Sequence, residues 1–412
     1  MSQNTQSAEA PAEDMTYGDI VWGQFKKNRV AFGSLIGLMG LFVLAITAPL
    51  IASGRPFVWD IGQGTSYPWF SSLFDRNYFE NPVDIFFNLW LVLGVPLMGA
   101  WFIRVKMIQK KAMAKRPRRR RMQHEAGAFI GLFFVVFVSL LFFFPHSEKY
   151  TQFADIAKER EAAGEQVEAV FPPVRYLFRK TGFKSLAPPG GDHLLGVDES
   201  TRDVSVRILY GTRISLTIGV IAVAIYVTIG IILGALAGFF GGRIDMGIQR
   251  LIEIVMSMPT IIVILVLIAF LEKPSIFHIM LIIGLVRWTG VARLVRGEFL
   301  RLRNLDFVVS AVALGFPTRK VIFQHILPNA LGPVLIAATF GVASAILLES
   351  TLSFLGFGDL SAPSWGQTLQ EGYSSGAWHL IIVPGFAIFL TVSLLNLVGE
   401  GVRDALDPKM RR

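Results

Sequence analysis

RNLDFVVSAVALGFPTRKVIFQHILPN, residues 303–329, lies between two apolar blocks and carries the punctuation of two short helices. Ala311, Ala313 and Leu314 favour helix, Gly315 offers the positive φ of a helix C-terminal turn, and Pro317 suits the first turn of a second helix running to His325. Pro328 then opens the helix that follows. Two short helices hinged at a glycine make a compact knob, of a kind that a soluble partner can grip.

The blocks flanking this knob, Pro274–Val286 and Asn329–Leu348, belong to a set of eight charge-poor stretches. The others are Val30–Ala52, Ile85–Ile103, Ala126–Phe144, Ile214–Gly242, Ile254–Leu271 and Ala377–Gly399. A helix rises about 1.5 Å per residue, so blocks of this kind are of the size that crosses a hydrocarbon core of roughly 30 Å. Pro274–Val286 is the shortest, and Trp288 to Ala292 can extend it into the interface. The expectation is an all-α, polytopic membrane protein with about eight transmembrane helices. Composition agrees: 53% hydrophobic residues, 34 Phe, 17% charged residues and a mean hydropathy of +0.53 lie outside the range of soluble domains. Val30–Ala52 reads as a span and not as a cleaved leader, being too long and lacking a convincing small-residue cleavage site.

The net charge of +9 has one main source, since Arg104 to Arg121 hold ten Lys or Arg and no acid. Basic residues mark the cytoplasmic side. Lys26–Arg29, Arg104–Arg121, Arg287–Arg303 with Arg319 and Lys320, and Arg403–Arg412 all fall there after eight crossings, with both termini cytoplasmic. Residues 54–84, 145–213 and 349–376 then lie outside. The run Arg116 to Arg121 has two readings, a nucleic-acid patch or a topology determinant facing anionic lipid; its place in a short loop without interleaved aromatics favours lipid. Tyr150–Val170 has helical composition, and Pro172-Pro173 and Pro188-Pro189-Gly190-Gly191 read as connectors.

Enzyme chemistry finds little support. Cysteine is absent, the six histidines are scattered, and no Gly-x-x-x-x-Gly-Lys-Ser/Thr is present to cradle a nucleotide. Glu253, His278, Arg287, Glu349 and Glu400 fall near expected span ends, where they can reach interface water. The chains of buried carboxylates that a proton-driven transporter needs are missing, which counts against secondary transport.

The stretch 303–329 resembles the EAA loop of ABC-importer permeases, in which Glu-Ala-Ala, three residues, Gly, nine residues and Ile-x-Leu-Pro form the helix docked on the ATPase. The matching positions are Val309, Ser310, Ala311, Gly315, His325, Leu327 and Pro328, with Val309 in place of the acid, Ser310 in place of the first Ala and Val312 in place of the usual Arg. Those departures bear on any salt bridge to the ATPase and not on docking. His325-Ile-Leu-Pro-Asn329 is similar to the oligopeptide/dipeptide branch. Four more segments resemble its C-type permease subunit. They are Leu195–Asp198 with Arg202–Val204 and Arg207–Leu216; Leu352–Gly358 with Pro363–Gly366; Gly399-Glu400 with Val402–Pro408; and, less specifically, Trp22 with Lys26–Arg29. The layout is closest to Yej-type peptide and microcin C permeases. Residues 85–144 have no counterpart in the usual six-span permease.

The resemblance implies a type I ABC-importer permease fold and a transport subunit without its own ATPase site. It implies no cofactor in this chain, ATP and Mg being bound by partners. Those partners are a sister permease in a heterodimer, two ABC ATPase subunits, a periplasmic solute-binding protein and membrane lipid, with no nucleic acid. The expected layout is a tail and interfacial helix over 1–29, a first span over 30–53, an inserted pair over 84–145, an external segment over 146–206, and a five-helix core over 207–412 with its coupling loop at 300–328. Asp306, Val309, Ser310, Ala311, Leu314, Gly315, Phe316, Pro317, Leu327 and Pro328 are the implied coupling residues, Ala311 and Leu314 filling the ATPase groove. Phe354, Gly356, Phe357, Gly358, Trp365 and Gly366 are expected to face the binding protein. No catalytic or metal residue is implied. Peptide is the favoured cargo; nickel chelates, glutathione and glycosides are alternatives, and a secondary transporter or a membrane receptor stands further off.

Overall fold

The computed structural model describes residues 17–62, 64–110, 115–143, 153–163 and 167–407. The expected N-terminal tail to residue 16 and the last residues of the basic C-terminal tail lie outside them. In chain order the helices are α1 (Tyr17–Lys27), α2 (Arg29–Ile51), α3 (Pro68–Ser72), α4 (Pro82–Leu89), α5 (Val95–Lys110), α6 (Lys115–Phe143), α7 (Phe153–Ala162), α8 (Val204–Phe240), α9 (Gly242–Met256), α10 (Thr260–Ala269), α11 (Ile276–Leu302), α12 (Asp306–Ala313), α13 (Thr318–Lys320), α14 (Leu327–Phe354), α15 (Trp365–Ser375) and α16 (Trp378–Leu406). Strand β1 (Val58–Asp60) pairs antiparallel with β2 (Glu168–Val170), Trp59 opposite Ala169. This tie between the segments 54–84 and 145–213 was not expected from the helical composition of Tyr150–Val170, of which α7 is the realised part.

Among the described residues, six continuous helical stretches are long and apolar enough to cross a membrane, and α9 with α10 adds a seventh if counted as one broken span. Helix α6 carries the remaining expected block, its described apolar part covering Glu125–Leu140. Two spans differ from expectation. The block at Ile254–Leu271 is no straight rod: α9 and α10 meet at 80° across Ser257–Pro259, where Pro259 has no N–H to continue the ladder. The shortest expected span grows to the 27 residues of α11 and runs straight past Arg287. That guanidinium is accommodated by donating to Ser344 Oγ at 2.8 Å and by lying over the Tyr226 ring, so it does not end the helix at an interface.

The core is built on α8 and α11, which touch backbone to side chain along one glycine ridge. Gly230, Gly234 and Gly238 recur every fourth residue on α8; a Cβ there would stand 2.6 Å from Val291 Cβ, 2.5 Å from the Ala292 carbonyl and 2.6 Å from Phe299 Cβ. Without a hydrophobic drive between helices in lipid, such close approach and its dispersion contacts hold them together. Helices α14 and α16 pack beside this pair, α2 lies on α16 and α8, and α15 is laid across α14 and α16. The N-terminus is tied to the C-terminal end: Phe25 is buried against Gly401, and Asn28, which caps α2 by accepting from Ala31 N at 3.1 Å, donates to Asp404 at 3.3 Å.

The inserted helices are fastened to this core by a buried ion pair. Arg213 of α8 reaches Asp84 Oδ1 of α4 at 2.9 Å and donates through Nε to the Ala45 carbonyl of α2 at 2.7 Å, with its guanidinium over the rings of Tyr210 and Phe87. One residue joins three helices in a place where an unpaired charge would cost several kcal/mol.

Candidate functional site

The knob at 303–329 is formed as a helix, a left-handed glycine and a second helix. Helix α12 ends in a Schellman turn: Gly315 has φ 76°, the Phe316 N–H bonds back to the Ala311 carbonyl at 3.1 Å, and the Gly315 N–H to Val312 at 2.9 Å. Nothing lies within 4 Å of where a Gly315 Cβ would stand, so glycine is required here by backbone conformation alone. After Pro317 the chain is helical without interruption to Phe354, and the expected stop at His325 does not occur. Pro328 has no N–H to offer, and the turn preceding it, Val321–Ile326, widens to a π turn in which Leu327 N bonds to Ile322 O. Asn329 Nδ2 adds a bond to the His325 carbonyl at 2.7 Å.

The two faces of α12 differ. Val308 and Ala311 are buried in the chain's own core, Ala311 only 4% exposed. Ala311 therefore does not fill a partner's groove; it seats the helix. Leu314, 75% exposed, stands clear beside exposed Phe307, Val309, Val312 and, across the turn, Phe323. Asp306, Ser310, Gly315, Pro317 and Pro328 are also exposed, whereas Phe316 and Leu327 are half-buried. Phe316 stacks on His325 at 5.8 Å and lies under Lys320 Nζ at 3.9 Å, which holds the turn against the second helix. Arg319 and Lys320 with Pro317, Phe323 and Gln324 line a hollow beside it. The outcome is an apolar surface at a helix end with an acidic side chain on one side and basic ones on the other, of the kind that marks a protein contact.

The segment 352–366, expected to face a binding protein, is less open than expected. Gly356 (φ 86°) repeats the Schellman turn, with the Phe357 N–H bonded to the Leu352 carbonyl at 2.9 Å. Gly356 is exposed, and Phe354, Phe357 and Gly358 are half-buried. Trp365 and Gly366 do not face outward. Trp365 is 1% exposed, lies against Gly211 and donates Nε1–H to the Ile208 carbonyl at 3.1 Å; a Cβ on Gly366 would stand 2.1 Å from the Ser350 carbonyl. Both are joints between α15 and the spans α8 and α14.

Several charged residues are buried that sequence position placed near water. Glu349 is 2% exposed and accepts from Ser353 Oγ and Ser364 Oγ, each at 2.8 Å, so it is a hub joining α14 to the start of α15. Asp198 and Glu371 hold Arg202, at 2.8 Å each, and Arg207 bonds Gln367 at 3.0 Å, fixing the loop before α8 to α15. Burial pushes the Glu371 carboxyl up from its ordinary range, with Arg207 pulling the other way. Nearby, burial and the Asp203 carboxylate push the Tyr176 hydroxyl up. The family-like blocks 195–216 and 352–366 are thus two halves of one hydrogen-bonded joint, a pairing with no local signal. No group of three or more potential metal ligands occurs among the described residues.

Comparisons with known proteins bear on the same segments. Residues 230–412 match the family described as binding-protein-dependent transport system inner membrane component, and residues 16–68 match the N-terminal TM domain of oligopeptide transport permease C. The dipeptide transport system permease protein DppC of Bacillus subtilis is 41% identical over 230 residues, 55% of this chain and 71% of that protein. The oligopeptide transport system permease protein OppC of Haemophilus influenzae is 42% identical over 58% of this chain and 78% of its own length. The inner membrane ABC transporter permease protein YejE of Escherichia coli is 39% identical over 54% of this chain and 65% of that protein. The inserted helices lie outside both family-matched ranges.

Proposed function

The chain belongs to the binding-protein-dependent inner-membrane permeases, on the oligopeptide and dipeptide branch of the ABC importers, and from that premise we propose that it forms half of the membrane pathway of a peptide importer. A sister permease completes the pathway, two separate ATPase subunits bind and hydrolyse ATP, and a periplasmic solute-binding protein delivers the peptide. Both termini, the knob and the basic segment 104–121 face the cytoplasm; the β1–β2 tie and α15 face the periplasm.

The observation that carries this reading is the exposed apolar face of α12 on a rigidly terminated helix. Val308 and Ala311 anchor the knob inward while Leu314, Val312, Val309 and Phe307 stand outward, which leaves one face for the molecule and one for a partner. The knob is continuous with the transport core at both ends. Helix α11 leads into it, its last turn tied back to α8 where Arg303 donates to the Gly238 carbonyl at 3.1 Å, and the 37-residue helical run Thr318–Phe354 leads out of it across the membrane. At about 1.5 Å per residue that run is ~55 Å long, longer than the ~30 Å hydrocarbon core, so one element links the docking face to the external turn.

Two-state linkage then supplies the mechanism. Closure of the ATPase pair moves the docked knob, the knob moves α11 and the long run 318–354, and the core exchanges an inward-facing for an outward-facing packing. The ATPase pair shifts this equilibrium only by the difference in its contacts to the two packings, so the knob must keep its shape while it moves. Gly315 and the Schellman turn provide that. In Gly315→Asp the helix end is strained and a charge enters the apolar face; ATP-coupled peptide uptake is expected to vanish while membrane insertion persists. Normal uptake in that variant would sink the assignment of this knob.

A further inference from the structure

The inserted helices contain a groove that the transport reading leaves unused. Helix α4 and α6 are closed on each other by aromatic contacts, Phe86 with Phe137 at 5.4 Å and Trp90 with Phe133 at 5.2 Å between ring centroids. From there a hollow of about 320 Å³ continues between α5 and α6, lined almost wholly by apolar groups that include Leu97, Met98, Ala126 and Ile130. That volume is at the lower end of ligand pockets, roughly 300–1,000 Å³. The π turn over Trp90–Gly94 shapes its closed end: a side chain on Gly94 would meet the Trp90 ring at 2.3 Å, so glycine lets the indole lie flat in the wall.

The other end of the groove is polar in one place and basic beyond it. Trp101 lines the groove, and its indole Nε1 is shielded and has no hydrogen-bond partner among the described residues. Less than one turn further, Arg104 pairs with Glu125 at 3.6 Å, and the segment 104–121 that joins α5 to α6 carries ten Lys or Arg and no acid. A buried donor left unmade costs about 1–3 kcal/mol, so the indole N–H calls for an acceptor at this depth. Indoles belong at the headgroup level, and basic residues beside a membrane attract anionic lipid.

We propose that this groove is a binding site for one anionic phospholipid, an acyl chain lying along Leu97, Met98, Ala126 and Ile130 and the phosphate accepting from Trp101 Nε1 beside Arg104. The apolar walls and the indole N–H hold chain and phosphate without discriminating among phospholipids; the positive charge at that end selects the headgroup. The site does not depend on the peptide-importer reading, since none of its residues lies in the knob, the core or the external joint. It gives the insertion a purpose of its own, to seat the chain in membranes with a stated headgroup charge.

The test uses the full importer complex reconstituted in vesicles of equal parts phosphatidylglycerol and phosphatidylethanolamine, re-extracted in mild detergent, with retained lipid measured by native mass spectrometry. Wild type should retain phosphatidylglycerol in clear excess. Trp101→Phe keeps the packing and removes the donor to the phosphate that both lipids share; it should cut retention of each about fivefold, the ratio that a ~1 kcal/mol hydrogen bond corresponds to. Ala126→Phe fills the groove and should lower retention of both lipids, with uptake unchanged as proof of folding. Equal retention of the two lipids by wild type, or no response to either variant, would overturn the proposal. The chain has no cysteine of its own, so Met98→Cys gives a single cross-linking handle in the groove. Cross-linking to lipid supports the site, and cross-linking to a helix of the sister permease or of a second copy refutes it.

Discussion

Two Leu-Gly-Phe turns stand at opposite ends of the helical run 318–354, Leu314–Phe316 before it and Leu355–Phe357 after it, and their backbones are nearly the same. Gly315 and Gly356 have φ of 76° and 86°, and in each turn the Phe N–H bonds to the carbonyl five residues back, at 3.1 and 2.9 Å. What surrounds them differs. The second turn is bolted down: Glu349 gathers Ser353 and Ser364, and Asp359 Oδ2 accepts from Ile276 N at 3.1 Å. The first rests on Val308 and Ala311 and leaves Leu314 in the open. One backbone device thus makes a fixed joint where polar groups are satisfied inside the chain and, on the proposed function, a docking face where apolar groups are left over.

The sharpest way to break this contrast is at the joint. Glu349→Ala removes the acceptor of two buried hydroxyls, and orphaned groups of that kind cost about 1–3 kcal/mol each. It should give the largest drop in thermal stability in detergent, with little folded protein left to assay. A melting profile like wild type would show that the joint is not what holds α15 in place. Next come the two glycines as a matched pair. At both positions a Cβ meets nothing within 4 Å, so Gly315→Ala and Gly356→Ala each pay only the left-handed backbone cost of about 1–2 kcal/mol. Similar melting shifts are expected, and transport should be lost in excess of that shift only for Gly315→Ala. Equal transport losses would erase the distinction between joint and docking face.

How much of this could be seen in the sequence follows from how local each feature is. The knob is legible because Ala311, Leu314, Gly315 and Pro317 write helix, turn and restart within seven residues. The spans are legible because burial in lipid needs only long apolar runs. Trp365 is misleading for a physical reason: beside a span an aromatic reads as an interface anchor, and its burial depends on Gly211, far away in the chain, leaving room for the indole. Asp84 and Arg213 are 129 residues apart, and neither looks unusual at the end of a span until they meet. The ridge Gly230, Gly234, Gly238 went unread: hydropathy sees only an apolar run there, and that α11 covers this face of α8 is set by the fold. The bend at Pro259 was missed, because hydropathy counts Ile254–Leu271 as one apolar block and takes no account of the N–H that the proline lacks.

The smallest expected effect on stability is the most telling for function. Leu314→Ser removes an apolar side chain that is already 75% exposed, so the folded chain should change by no more than about 0.5 kcal/mol. Leu355→Ser, at the corresponding place in the other turn and 48% exposed, should change it by a similarly small amount. If Leu314 is an anchor in a partner's pocket, its loss costs about 1–2 kcal/mol of docking, near tenfold in the affinity of the permease pair for its ATPase subunits. Leu355→Ser should leave that affinity alone, because it lies at the far end of the 37-residue run. Titrating ATPase subunits onto the detergent-purified permease pair measures both. A tenfold loss confined to Leu314→Ser separates docking from folding, since melting of the two variants matches; equal affinities would place the ATPase contact elsewhere on the cytoplasmic side.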